Sequence, residues 1–105
     1  MQIPAERLAW TDNALRAEFS STGGPVTCII PRATIHCLPT YADLLGWEIE
    51  RYKAEILQRL APAIRRKIAA GALHRKGAAL ILILAPGDIE AADAVRPLRL
   101  RSGAA

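Results

Sequence analysis

The longest helical pattern in this sequence runs from Leu44 to Gly71, and the rest of the chain has to cover its apolar side. Apolar residues recur there every three or four positions, as on one face of an amphipathic helix. They are Leu45, Ile49, Tyr52, Ile56, Leu60, Ile64 and Ile68. A helix of this kind needs an apolar partner, and the segments on either side of it are the candidates.

Pro62 predicts that this helix is bent. Proline has no N–H, and its ring crowds the carbonyl of the residue four positions earlier, so we expect a kink between Gln58 and Pro62. Gly71 is a natural end, because glycine accepts the left-handed conformation that often closes a helix. Thr40 and Asp43 are candidate N-caps, and the position of Asp43 just before the apolar pattern favours Asp43.

Three short strands are predicted before the helix. Leu8 and Trp10 share one side of the first strand, and Asp12-Asn13 predicts a two-residue turn because both residues tolerate positive φ. Apolar and polar residues alternate in the two strands that follow, as in half-buried strands. Their predicted inward positions are Leu15, Ala17, Phe19, Val26, Cys28 and Ile30.

One more strand is predicted after the helix, from Ala79 to Ala85. Its leucines and isoleucines form an unbroken run, so both sides of the strand are apolar. This pattern is typical of a strand that is covered on both faces, or of one that packs in a dimer. We assign an oligomer or partner interface to Leu80, Leu82 and Leu84.

Shorter elements complete the prediction. We expect a short helix from Pro31 to Leu38, a polar connection from Ala72 to Gly77, a short helix from Ile89 to Arg96, and a loose basic tail over 98–105. The predicted fold class is α+β, in a single domain over 1–97. A small antiparallel sheet, made of the N-terminal three-strand meander and the C-terminal strand, packs against one long, Pro-kinked helix.

Composition excludes several classes of protein. A chain of 105 residues with 51% hydrophobic and 23% charged residues is typical of one globular domain rather than a disordered chain. The longest apolar run, Ala78 to Pro86, is far shorter than the roughly 20 residues that span a bilayer. Met1 to Arg7 lacks the apolar core of a signal peptide. With two cysteines and no export signal, we expect a cytoplasmic protein.

Positive charge is concentrated in the second half of the long helix and just beyond it. The net charge is +4, and no acid occurs between Glu55 and Asp88. This asymmetry predicts, as an alternative function, a patch that contacts nucleic-acid phosphates. Its residues would be Arg59, Arg65, Arg66, Lys67, Arg75 and Lys76. A solvated helix face, with positive charges that suit the C-terminal end of the helix, explains the same pattern.

The residues able to bind soft metals do not have the spacing of a metal site. The two cysteines, Cys28 and Cys37, are far apart, and His36 adjoins Cys37 on a predicted helix, where neighbours point about 100° apart. We therefore predict no metal and no cofactor. A contact between Cys28 and His36 would support a small Cys-dependent enzyme, but Cys28 fits better as a buried apolar residue, and we expect no enzyme activity.

The order of these elements carries a resemblance to a known family. A strand ends in Phe19, a Val26-x-Cys28-x-Ile30 strand and a short helix follow, and the long helix with its basic second half leads to an apolar strand that closes on Asp88. This arrangement resembles a family of short proteobacterial proteins classed as a domain of unknown function, over roughly residues 8–89. The resemblance implies an α+β fold in a bacterial cytoplasm and transfers no catalytic residue.

Together these observations favour a small bacterial domain without enzyme activity that binds proteins. Its partner would be a second copy of itself or another protein, and no membrane is involved. Two alternatives stay open: a nucleic-acid-binding accessory protein that uses the residues from Arg59 to Lys76, and a small Cys-dependent enzyme.

Overall fold

The computed structural model describes residues 7–21 and 23–90. A meander comes first, with strands β1 (Arg7–Thr11), β2 (Ala14–Ser21) and β3 (Gly24–Pro31). Helix α1 (Arg32–Ile35) and a 3-10 turn (Pro39–Tyr41) lead to the long helix α2 (Gly46–Ala69). Strands β4 (His74–Lys76) and β5 (Ala79–Ile83) follow, and then a 3-10 turn (Pro86–Asp88).

The strands form one five-stranded sheet in the order β1-β2-β3-β5-β4, and the predicted α+β class is confirmed. Two details of the predicted sheet are wrong. Strand β5 pairs with β3 in parallel, because the chain crosses over through α2 before it rejoins the sheet. The predicted polar connection contains β4, which pairs antiparallel with β5 at the edge. Its sequence, His74-Arg75-Lys76, is charged, as is common for exposed edge strands.

Strand β1 pairs within its own sheet, and its inward side chains face the helix. The predicted turn to β2 is confirmed, since Asp12 and Asn13 both have positive φ, 53° and 59°. The indole of Trp10 lies against Gly46 at the start of α2, where an added Cβ would come within 3.3 Å of Trp10 Nε1. The glycine therefore lets the first strand and the long helix approach closely.

Helix α2 covers one face of the sheet. Its buried side chains are Ile49, Ile56, Leu57, Leu60, Ala61, Ala63 and Ile64. They pack against all the predicted inward residues of β2 and β3 and against Leu80, Leu82 and Leu84. The predicted apolar stripe is wrong at Leu45 and Tyr52, which are 55% and 40% exposed. Leu45 is the N-cap and precedes the helix, and Tyr52 lies where the backbone departs from helical angles, so neither follows the buried face.

Two predicted details of α2 differ from the structure. The N-cap is Leu45 rather than Asp43, and the Glu48 carboxylate accepts a hydrogen bond from the Leu45 N–H at 2.8 Å. The backbone departs from helical angles at Tyr52 (φ −102°, ψ 15°), and not between Gln58 and Pro62. The fixed φ of proline is itself compatible with a helix, so Pro62 removes one hydrogen bond without ending α2.

The short elements are smaller than predicted. Helix α1 spans one turn, because Pro31 still belongs to β3. Ile35 and Leu38 are buried, as expected for inward contacts. Ile89 and Glu90 are not helical, and the rest of the predicted helix from Ile89 to Arg96 lies outside the described residues, as does the predicted tail over 98–105.

Candidate functional site

The side of the sheet opposite α2 carries two rows of outward side chains, which we call the open face. Row one crosses β1, β2, β3 and β5 through Ala9, Arg16, Ile29 and Ile83. Row two lies beside it and contains Arg7, Glu18, Thr27, Ile81 and His74. Apart from Ala14 beside the β1–β2 turn, every buried strand residue points the other way, toward α2. No helix within 7–21 and 23–90 covers the open face.

Strand β5 has one buried and one accessible side. Leu80, Leu82 and Leu84, which we predicted as an interface, are 8%, 0% and 0% exposed because α2 covers them. This assignment is corrected: they belong to the core. The accessible apolar side chains are Ile81 and Ile83, and Ile83 is 43% exposed. Both sides of this strand are apolar, so the sequence alone does not indicate which side the helix covers.

The centre of the open face is apolar and its margins are charged. Ile29, Ile81 and Ile83 are neighbours on the paired strands β3 and β5. Arg16 and Glu18 lie beside them on β2. On the other flank, β4 contributes outward His74 and Lys76. An accessible apolar patch rimmed by polar residues is typical of a protein-binding surface.

A second set of exposed apolar residues lies at the start of α2 and does not form one surface. Leu45 is 55% exposed but is the N-cap and precedes the helix, while Trp47, 63% exposed, lies five positions before Tyr52 and so roughly 140° from it around α2. Tyr52 is 40% exposed, and the guanidinium of Arg51 lies 5.8 Å from the centre of its ring. These side chains are therefore scattered, in contrast to the neighbouring isoleucines of the open face.

Two cations of the predicted basic patch face protein groups at the end of β5. Lys67 Nζ donates to the Ile83 carbonyl at 2.7 Å and to the Asp88 carboxylate at 2.5 Å. Arg66 Nε lies 3.2 Å from the Glu90 carboxylate. These residues line a cleft of about 280 Å³ between α2 and the 3-10 turn. Their positive charges hold the described C-terminal segment to the helix.

The carboxyl group of Asp88 is kept ionised by this arrangement. Burial alone would raise its pKa, but hydrogen bonds from Lys67 and the Ala85 N–H, together with the charges of Lys67 and Arg66, outweigh burial and lower the pKa. The Ala85 N–H donates to Asp88 at 2.7 Å, so the carboxylate also closes the turn that follows β5. Asp88 is thus explained by a structural role.

The other members of the basic patch lie elsewhere. Arg59 is partly buried beside Tyr41, whose hydroxyl donates to Glu55 at 2.5 Å. Burial, followed by the hydrogen bond to Glu55, raises the pKa of Tyr41 to about 12, while a hydrogen bond from Arg59 opposes that rise. Arg65 is a partly buried residue of α2. Exposed Arg75 and Lys76 are adjacent on β4 and therefore point to opposite sides of the sheet.

The structure gives the cysteines and histidines separate surroundings. Cys28 is fully buried, and burial raises its pKa to about 12 against the opposing charge of Lys67. Cys37 is exposed, and its thiol lies 3.4 Å from the Ala33 carbonyl. His36 Nε2 donates to the Leu44 carbonyl at 3.1 Å. Within the part of the chain that the structure describes, no three His, Cys, Asp or Glu side chains are grouped to hold a metal ion.

No family model, curated protein or solved structure matches this chain. The resemblance to the proteobacterial family therefore stays a prediction. Among the described residues, none of the helices has the length and apolar character needed to cross a bilayer. The geometry of the sheet makes the open face the strongest candidate site.

Proposed function

We propose that this chain is a protein-interaction module without enzyme activity, and that it binds its partner through the open face. One observation carries the proposal: Ile83, 43% exposed, lies beside Ile29 and Ile81 on the side of the sheet that α2 does not cover. Removing such apolar area from water gains about 25 cal/mol per Å². Membership of the proteobacterial family and a bacterial cytoplasmic setting are part of the proposal.

The placement of the charged residues supports this proposal over nucleic-acid binding. Phosphate contacts dominate such binding and need several cations on one surface. Here Arg66 and Lys67 face Glu90 and Asp88. Two of the other four cations also lie on α2, but the last two are adjacent on β4 and point to opposite sides of the sheet, so the six residues do not converge.

The surroundings of the two cysteines argue against a Cys-dependent enzyme. A nucleophilic cysteine reacts as the thiolate. The pKa of Cys28 is about 12 because the residue is buried, so its thiolate is scarce near neutral pH. His36 is engaged with the Leu44 carbonyl, which directs its Nε2 away from the role of a base for Cys28.

Site-specific photo-crosslinking in bacterial cells tests the proposed function. A photoreactive amino acid replaces Ile83 in one variant and Trp47 in the other. Trp47 is the matched control, because it is more exposed, at 63%, but lies on α2. We expect a defined crosslinked protein product at Ile83 that is lost when Ile81→Lys is added, and no such product at Trp47. Products at Trp47 alone, or at neither position, would contradict the proposal.

A further inference from the structure

We infer that the protein bound by the open face is a second copy of this chain, an inference that rests on the proposed function. The order of residues in the two rows supports a second copy as the partner. On β2 the row-one residue is Arg16 and the row-two residue is Glu18, two positions apart on the same side of the strand. The same face therefore presents both signs of charge side by side.

Two sheets that stack face to face can be related by a two-fold axis lying between them, at right angles to the strands. Adjacent outward residues of a strand are about 6.6 Å apart, and packed sheets are about 10 Å apart. An axis midway between the rows brings each row-one residue opposite the row-two residue of the same strand in the second copy. Each contact is then made twice, as in any symmetric dimer.

This exchange of rows matches side chains by chemistry on three strands. On β5, Ile83 meets Ile81 of the second copy. On β3, Ile29 meets the methyl-bearing Thr27. On β2, the long side chains of Arg16 and Glu18 span the space between the sheets with opposite charges. Apolar groups thus meet apolar groups at the centre, and charges of opposite sign meet at the margin.

The β4 edge of the sheet offers a less suitable contact. Edge strand β4 is short and reads His74-Arg75-Lys76, and two such basic strands would repel each other. Stacking through the open face avoids this repulsion. The rows contain far fewer residues than the roughly 20–30 a side of a stable interface, so we expect a weak, reversible dimer.

Charge exchange on β2 tests this inference with the purified chain. Arg16 and Glu18 are both exposed, so Arg16→Glu and Glu18→Arg leave the core intact. In a dimer of either variant alone, like charges meet at both β2 contacts. In a mixed dimer of the two variants, opposite charges meet at both contacts again. Sedimentation velocity over a wide range of concentrations measures the dimer, and circular dichroism checks the fold.

We expect the natural chain to dimerise, each variant alone to dimerise about 10- to 100-fold more weakly, and the mixture to regain the natural affinity. A natural chain that stays monomeric, a variant that dimerises normally, or a mixture that stays monomeric would overturn the second copy as partner. A monomeric chain that is still crosslinked to a different protein at Ile83 would leave the proposed function standing. A monomer without any crosslink at Ile83 would overturn both.

Discussion

Ile29 and Ile83 lie opposite each other on the parallel strands β3 and β5, on the side of the sheet that faces away from α2. The pairing continues past the end of β5, where the Leu84 N–H donates to the Ile29 carbonyl at 2.9 Å. The same strands bury Cys28 and Leu82 on the other side. Adjacent side chains of β5 therefore point in opposite directions, one into the core and one onto the open face.

The neighbouring residues Leu82 and Ile83 should respond differently to substitution. Leu82 is fully buried, so Leu82→Ala should lower the free energy of unfolding by about 2–5 kcal/mol, because it leaves a cavity. Ile83→Lys should change the free energy by less than about 1 kcal/mol, because Ile83 is accessible. Urea denaturation of both variants measures the difference. Equal losses in the free energy of unfolding would contradict the assignment of Leu82 to the covered side of β5 and Ile83 to the accessible side.

Asp88 should contribute to stability through its contacts with Lys67 and the Ala85 N–H. Asp88→Asn removes the charge of the pair and weakens the turn, so we expect a loss of about 1 kcal/mol. Lys67→Met should cost a similar amount, and the double variant should cost less than the sum of the two. A double-mutant cycle by denaturation gives the coupling. Strict additivity would mean that the pair does not act as one unit.

The lowered pKa of Asp88 also gives stability a defined pH dependence. Because the folded pKa lies below the unfolded value of about 3.9, the contribution is fully present above that value and is lost as the pH falls through the folded pKa. Thermal unfolding below about pH 4 should therefore be less pH-dependent in Asp88→Asn than in the natural chain. Parallel pH profiles would rule out this contribution.

The two cysteines should differ in reactivity. Near pH 8 a thiol reagent should label Cys37 rapidly, because Cys37 is exposed. Cys28 should react only on unfolding, because it is buried and its pKa is about 12. Absorbance at the reagent wavelength counts the thiols, with Cys37→Ser as the control. Rapid labelling of folded Cys37→Ser would contradict the burial of Cys28.

The salt dependence of the affinity for DNA tests whether the basic patch is a nucleic-acid-binding site. A patch that made six phosphate contacts would lose on the order of a thousandfold in affinity for DNA between about 50 and 200 mM salt. We expect weak binding with a much shallower dependence, because Arg66 and Lys67 are engaged within the chain. Fluorescence anisotropy with duplex DNA and single-stranded RNA measures both. A thousandfold loss that Arg65→Glu/Arg66→Glu abolishes would favour the nucleic-acid alternative.

Local patterns predicted much of the fold. Alternation identified the inward residues of β2 and β3, and two residues that accept positive φ identified the β1–β2 turn. The parallel pairing of β3 with β5 could not be predicted, because both sides of β5 are apolar and its partner strand is distant in sequence. Strand β4 was missed because three polar residues form a strand only when β5 lies beside them.

The interface was predicted on β5, but the three leucines chosen lie on the side of that strand that α2 covers. The leucines and the isoleucines of this strand point to opposite sides of the sheet. The accessible set is the one that α2 does not cover, and no local sequence pattern shows which side that is. The intrachain partners of the basic patch could not be predicted for a related reason. Asp88 and Glu90 are far from Lys67 and Arg66 in the sequence, and only the fold brings these opposite charges together.

Solvent accessibility of methyl groups, measured by NMR with a soluble paramagnetic probe, identifies the surface through which the chain associates. At low concentration the methyls of Ile29, Ile81, Ile83 and the control Leu45 should all be broadened by the probe, while those of buried Ile30 should not. At high concentration the three isoleucines of the open face should become protected and Leu45 should stay accessible. Protection of Leu45 instead would contradict the open face as the interaction surface, and protection of none of these residues would contradict the second copy as its partner.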